Sequence, residues 1–197
     1  YQQLLSRRAE IEEQLKSLTI QNAMLSHLLN GYTMLMGHPP CGSPFLNAIA
    51  QRHLYLYPAE VSSDTTSFNQ SYEENLMHMI DSMHDCNISG FGYINIGCII
   101  KKESLMNNSL ICSSTFSSVK KEYAGKPGVV LMPNLICICN ICDDVDKELE
   151  LAQKLYAECD HRGLIAGDYY REEIVFCPNP KNNKRNKLFL QYIPVNI

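Results

Sequence analysis

Apolar residues recur every seven positions at the start of the chain. Leu4, Ile11, Leu18 and Leu25 hold one offset, and Tyr1, Arg8, Leu15, Asn22 and Leu29 hold the complementary one. No Gly or Pro interrupts residues 1–30, and Leu, Gln and Glu are frequent, so the stretch predicts one helix with about four heptads of a narrow a/d seam. Asn22 is a polar seam member of the kind that fixes register, while Arg7, Glu10, Glu12, Glu13 and Lys16 face outward. The sevenfold spacing predicts pairing with a copy of itself through Leu4, Ile11, Leu15, Leu18, Asn22, Leu25 and Leu29. An amphipathic helix packed on its own domain is the alternative. Gly31 is expected to end the helix, and "GHPPCGSP" (Gly37 to Pro44) reads as a turn-rich connector. This gives a coiled-coil helix over 1–31 and a linker over 32–51.

From Arg52 onward the pattern changes. "RHLYLYPAEV" predicts a strand ending near Pro58, and "SFNQSYEENLMHMIDSMHDC" a helix with Phe68, Tyr72, Leu76, Met79 and Met83 on one face. "GYINIGCII" (92–100) and "SLICSSTFSSV" (109–119) follow as strands joined by a polar turn at "MNN". After "KKEYAGKPG" the order recurs. "VVLMPNLICICNI" (129–141) is strand-like, and "DDVDKELELAQKLYAECDHRG" (143–163) is a helix with an acidic start and a Gly stop. "LIAGDYYREEIVF" and "KLFLQYIPV" then make two strands around the loop "CPNPKNNKRN". The fold class is therefore α+β: a long N-terminal dimerisation helix, then a pseudo-duplicated β-α-β-β domain over 52–197 with a cleft between its halves.

The strand "GDYYREEIVF" carries charge at its centre. Alternation places Tyr169, Arg171, Glu173 and Val175 on one side and Tyr170, Glu172, Ile174 and Phe176 on the other. One glutamate therefore sits with whichever face is covered.

Composition narrows the function classes. Net charge is −4 and the pI about 5.9, so no strong overall field draws nucleic acid or an anionic membrane to this chain. No run of about 18 apolar residues exists to span a bilayer. Nine cysteines without a signal peptide point to a reducing, cytoplasmic setting. Cys137, Cys139 and Cys142 in "CICNIC" have no second CxxC and no histidine nearby, so buried strand thiols are favoured over a metal site. No cofactor and no metal are expected, and no phosphate loop or nucleophile–base constellation stands out. The chain begins without Met on residues already helical, which raises the expectation of an upstream segment.

A long dimerising helix followed by a twofold β-α-β-β unit resembles the C-terminal part of MerR-family drug-responsive transcription regulators, with a GyrI-like effector-binding domain. "RHLYLYPAE" leading into a Tyr-bearing helix, "GLIAGDYYREEI" and the terminal "LQYIPV" carry the resemblance, by their joint order and spacing. It implies binding of small lipophilic, aromatic, often cationic compounds between the two halves, a homodimer through the N-terminal helix, and DNA contact through an upstream domain outside this chain. Carried over, the helix tyrosine falls on Tyr72, the aromatic before the next strand on Phe91, and the residue beside the second helix start on Cys142. The Tyr169, Arg171, Glu173 side of the strand becomes the ligand-facing one. The family's carboxylate position falls on Arg171, a departure that suits an anionic or neutral ligand, with Glu173 as ion-pair partner or replacement carboxylate. Asn186 stands where a further aromatic is expected. Two alternatives follow: a hydrolase of the GyrI-like fold using Glu173 and Tyr170 as acid and base, or a protein-binding module with an empty cleft.

Overall fold

The computed structural model describes residues 1–37, 39–59, 68–88, 95–178 and 185–196. Helix α1 (Gln2–Gly37) continues through Gly31, the expected stop. A single glycine costs a helix about 1 kcal/mol, which a helix of this length tolerates. Along α1, Leu4, Leu15, Leu18, Leu25 and Leu29 are each more than half exposed. The seven-residue seam thus lies open on the helix surface.

Among the described residues twelve further α-helices and strands follow: β1 (Phe45–Ile49), β2 (Arg52–Pro58), α2 (Phe68–Asp85), β3 (Ile96–Ile100), α3 (Lys102–Met106), β4 (Cys112–Val119), β5 (Val129–Met132), β6 (Leu135–Cys142), α4 (Glu148–His161), β7 (Ile165–Ala166), β8 (Tyr169–Pro178) and β9 (Arg185–Asn196). The sheet is antiparallel in the order β1-β6-β9-β8-β3-β4-β2-β5, with short β7 pairing β9. Stretch 32–51, expected as linker, holds the end of α1 and the strand β1, which pairs with β6. A short helix, α3, precedes the turn expected at "MNN". Residues 129–141, expected as one strand, divide at Pro133–Asn134, because proline has no N–H to give a ladder. The division sends β5 to one edge beside β2 and leaves β6 near the other edge.

Helix α2 lies over β2 and β4, and α4 lies over β6, β7 and β9. Strands β3 and β8 form the seam between the two helix-covered halves. Helix α2 buries Tyr72, Leu76, Met79 and Met83, spaced for one helical face. It closes on Asn87 at φ 52, where Ile88 donates back to the carbonyl of Met83, and Lys126 Nζ donates to the carbonyls of Cys86 and Asn87 at 2.9 and 2.7 Å. Helix α4 buries Leu151, Ala152, Leu155, Tyr156 and Cys159 and closes on Gly163 at φ 65, as its Gly stop predicts.

The other face of the sheet is concave. Arg52 on β2 grips Glu172 on β8, with β4 and β3 lying between those strands. Flat strands about 4.8 Å apart would hold these two backbones on the order of 14 Å from each other, so the sheet must curl to bring the side chains together. Inside the curl, Leu54, Phe116, Met132, Cys137, Cys139 and Tyr192 belong to one apolar cluster drawn from both halves.

Candidate functional site

Opposed residues in antiparallel strands share a face, and one register line across the seam carries polar side chains on four of its five strands. Thr115 on β4 opposes Cys98 on β3, Cys98 opposes Arg171 on β8, Arg171 opposes Gln191 on β9, and Gln191 opposes Asn140 on β6. All five lie on the helix-covered face at 0–1% exposure. Among the described residues Thr115 Oγ1, Asn140 Oδ1 and both amide atoms of Gln191 have no hydrogen-bond partner. Asn140 uses its nitrogen on the carbonyl of Leu151 in α4.

Arg171 is the centre of this row. Its guanidinium carbon lies 3.7 Å from the ring centroid of Phe189, 4.6 Å from Tyr72 and 5.2 Å from Phe68. Its Nε forms an ion pair with Glu148 Oε1 at 3.2 Å, at an angle that is not a hydrogen bond's. Tyr169 donates its hydroxyl to the same Glu148 oxygen at 3.2 Å. Phe68 and Tyr72 come from α2, Glu148 from the first turn of α4, and Phe189 from β9, so one side chain on β8 bridges both halves. The amino end of α4 is a favourable place for a carboxylate, since the helix dipole is positive there.

The charges in this cage shape one another. Burial opposes the charge on Arg171 most strongly, but Glu148 together with Cys98, Tyr72 and Tyr169 outweighs it and holds the guanidinium protonated above its ordinary range. Burial lifts the Glu148 carboxyl above the usual carboxylate range, while Arg171 and the Tyr169 hydroxyl draw it part of the way back. Burial, reinforced by Glu173, keeps the Tyr72 phenol neutral. The Tyr72 hydroxyl, Glu148 Oε2 and Arg171 NH1 have no hydrogen-bond partner among the described residues. A buried cation among three rings and a carboxylate, edged by amides with spare donors and acceptors, can orient a polar aromatic molecule by both its π face and its hydrogen-bonding groups.

Glu172 points the opposite way, into the curl. There Arg52 donates to both its carboxylate oxygens, through NH1 at 2.8 Å and through NH2 at close range, and NH2 also meets the Tyr192 hydroxyl at 3.0 Å. Tyr170 stacks on Tyr192 at 5.0 Å on that face. Tyr170 and Glu173 therefore lie on opposite sides of the sheet, and the acid–base pair named for a hydrolase does not assemble. The alternation read from the sequence holds through Glu173, and a register shift between Glu173 and Val175 then ends it.

Of the expected ligand residues, Tyr72, Tyr169 and Arg171 meet in the cage. Glu173 opposes Phe189, is half-buried, and is close enough to act on Tyr72. Cys142 is a buried thiol that opposes and packs against Phe189, giving its S–H to the carbonyl of Asp144. It stands one layer behind the cage. Phe91 lies outside the described residues, as does most of the loop 177–186. Asn186 is on β9, and its side chain is outside the described set. Cys137 and Cys139 share the inner, apolar face.

Sequence reasoning missed Phe68, Glu148, Phe189, Gln191 and Asn140 as site residues. Asn140 and Gln191 carried a signal, since Asn140 is the lone amide of the apolar strand β6 and Gln191 the lone amide in the apolar run 188–195. Glu148 carried none, because it reads as one acid among several at a helix start.

No family model and no curated protein matches the chain. Solved structures do. The chain is similar to EcmrR in a cryo-EM structure of its complex with DNA, at 14% identity and a TM-score of 0.57, over 98% of this chain and 71% of that one. It is similar to the EcmrR C-terminal domain at 13% identity and a TM-score of 0.56, over 78% of this chain and 97% of that one. A hydrolase from Listeria innocua matches at 11% identity over 81% of this chain and 94% of that one, with a TM-score of 0.44 that is too low to weigh. At these identities the likeness concerns the fold: this chain and the EcmrR C-terminal domain share it.

Proposed function

We propose that this chain is the ligand-sensing and dimerisation portion of a transcription regulator of the MerR type, binding small lipophilic aromatic compounds between the two halves of its GyrI-like domain. The observation that carries this reading is the buried polar row at the β3–β8 seam, where Thr115 Oγ1, Asn140 Oδ1 and both amide atoms of Gln191 have no hydrogen-bond partner among the described residues. Buried polar groups are nearly always satisfied in proteins, so a cluster of exceptions favours a place where a ligand or water completes the bonding. The shared fold with the EcmrR C-terminal domain supports the regulator class over an enzyme.

The exposed seam of α1 favours a homodimer, which removes Leu4, Leu15, Leu18, Leu25 and Leu29 from water. DNA contact belongs to an upstream domain outside this chain. Among the described residues no helix is long and apolar enough to cross a membrane, and eight described cysteines are free thiols, in keeping with a reducing, cytoplasmic setting. A ligand at the seam would shift the spacing of α2 against α4 and reach α1, which approaches β8, only by binding one arrangement better than another.

The test is calorimetry of the purified chain against aromatic anions, neutral aromatics and aromatic cations, with light scattering for its mass. Saturable binding of one class at micromolar level and a dimer mass are expected. Absence of binding in all three classes removes the sensing role, and a monomer removes the seam pairing.

A further inference from the structure

Three aromatic rings and a carboxylate around one point make a receptor for a planar cation, and here the cation is the chain's own. Phe189 is close enough to Arg171 for face-on stacking, Tyr72 and Phe68 flank the guanidinium within cation–π range, and Glu148 supplies the counter-charge. Arg171 NH1 and Glu148 Oε2 nevertheless have no hydrogen-bond partner among the described residues. The cage therefore matches the flat, delocalised charge of a guanidinium better than it satisfies this one's donors. A side chain placed for its own hydrogen bonding would not leave Nε and NH1 without a partner among the described residues at 1% exposure.

We infer that Arg171 is a tethered occupant of a cation cage, and the residue that sets the ligand specificity of the cleft. With Arg171 in place the cage is closed to external cations, and the surrounding site accepts ligands that are neutral or anionic. Without the guanidinium, the same rings and Glu148 accept a small planar organic cation of the amidinium or guanidinium class. This rests on the cleft between the halves being the ligand site, as proposed above.

Two alternative origins of the contact are distinguishable. If Arg171 served only to pair Glu148, any external cation would bind the opened site in proportion to charge, whatever its shape. If the stacking is what the cage is built for, planarity decides.

The experiment is calorimetric titration of wild type and Arg171→Ala with methylguanidinium, benzamidinium, methylammonium and neutral benzamide. Wild type is expected to bind none of the four. Arg171→Ala is expected to bind both planar cations, with a dissociation constant of about 1 mM or tighter for ligands of this size. Methylammonium should bind at least about tenfold more weakly, and benzamide not at all, because planarity and charge are both needed. Adding Glu148→Gln to Arg171→Ala should weaken benzamidinium by about tenfold or more. The inference is overturned if wild type binds benzamidinium as well as Arg171→Ala does, if methylammonium and methylguanidinium bind the variant alike, or if Glu148→Gln changes nothing.

Should Arg171→Ala not fold by itself, recovery of its near-ultraviolet circular dichroism on dilution from urea, with and without millimolar methylguanidinium, replaces the titration. No recovery with the planar cation overturns the inference equally. The sensing role and this inference fail separately. A wild type that binds no aromatic compound refutes the former, while planar cations entering Arg171→Ala still sustain the latter.

Discussion

Replacing Arg171 with Met keeps most of the side chain's volume and removes its charge. Glu148, at 0% exposure, then loses its ion-pair partner among the described residues, and Tyr169 remains as its hydrogen-bond donor. Breaking a buried ion pair by removing one partner typically costs about 3–5 kcal/mol, because the other charge is left buried and uncompensated. Neither side chain has meaningful exposure, so solvent screening does not reduce this figure. The pH dependence has a definite sign. Burial already raises the Glu148 carboxyl above its ordinary range in the folded chain, and removing Arg171 takes away the opposite charge that draws it back. A carboxyl with a raised folded pKa binds more protons in the native state than in the unfolded state. Its effect is absent below the unfolded pKa and becomes a growing loss of stability as pH rises through the folded pKa.

Urea unfolding of wild type and Arg171→Met should therefore differ by about 3–5 kcal/mol near neutrality and by less at the acid end of the carboxylate range. Comparing the two proteins cancels the titration of other carboxylates, which they share. The double variant Arg171→Met, Glu148→Gln should recover most of the loss and flatten the difference across pH, since paired removal of both charges is often close to neutral. A deficit that does not change with pH, or one that Glu148→Gln fails to relieve, refutes the idea that an uncompensated Glu148 is its cause.

Three further outcomes follow from other sites. A methyl group on Gly97 would collide with the carbonyl oxygen of Arg171 and come within 2.6 Å of the Phe116 ring, so Gly97→Ala should cost about 1–3 kcal/mol in urea unfolding. An unchanged midpoint would mean that the strands at the seam are not this close. Arg52→Met frees Glu172 inside the curl and should destabilise by about 3 kcal/mol, with a loss below about 1 kcal/mol counting against the cross-curl pair. Burial pushes the Cys137 thiol to about 12 and the Cys142 thiol to about 11, so mass spectrometry after brief iodoacetamide treatment at neutral pH should find exposed Cys41 labelled and these two untouched until unfolding. Equal labelling of Cys142 and Cys41 would contradict the burial.

Elements with strong periodicity were legible from the sequence. The α2 face of Phe68, Tyr72, Leu76, Met79 and Met83 and the Gly163 stop of α4 both follow from local pattern, as does the alternation of Tyr169 to Glu173. Those features depend on residues a few positions apart. The division at Pro133 and the pairing of β1 with β6 depend on which strands become neighbours, and composition does not encode that. The same distinction explains the site. Arg171 stood out as a charge in a strand, but the carboxylate it meets lies far earlier in the chain at Glu148, and its stacking partner Phe189 comes from a different strand. Glu173, two positions along the same strand face, is the nearer guess by sequence and not the ion-pair partner that forms. Only the register across β3, β8, β9 and β6 aligns Cys98, Arg171, Gln191 and Asn140.

That alignment bears on why the row is polar at all. An unsatisfied buried donor or acceptor costs about 1–3 kcal/mol, and apolar residues of similar shape at Thr115, Asn140 and Gln191 would avoid the cost. The concave face shows what this chain does when polar groups serve structure. There Glu172 takes both arms of Arg52, and Tyr192 completes the group. The two faces of β8 thus carry adjacent charges, Arg171 and Glu172, in different settings: Glu172 is gripped by both arms of Arg52 on the inner side, while Arg171 sits among rings on the helix side with its Nε and NH1 unpartnered among the described residues. A single strand cannot owe both to chance packing, because the pleat fixes which residue faces which way. The helix side is also the side on which α2 and α4 cover the two halves that flank the seam, where a ligand's hydrogen bonds would change the free energy of one half against the other. A departure from the local rules at the junction of two halves is the expected mark of a functional site, where stability is given up for binding.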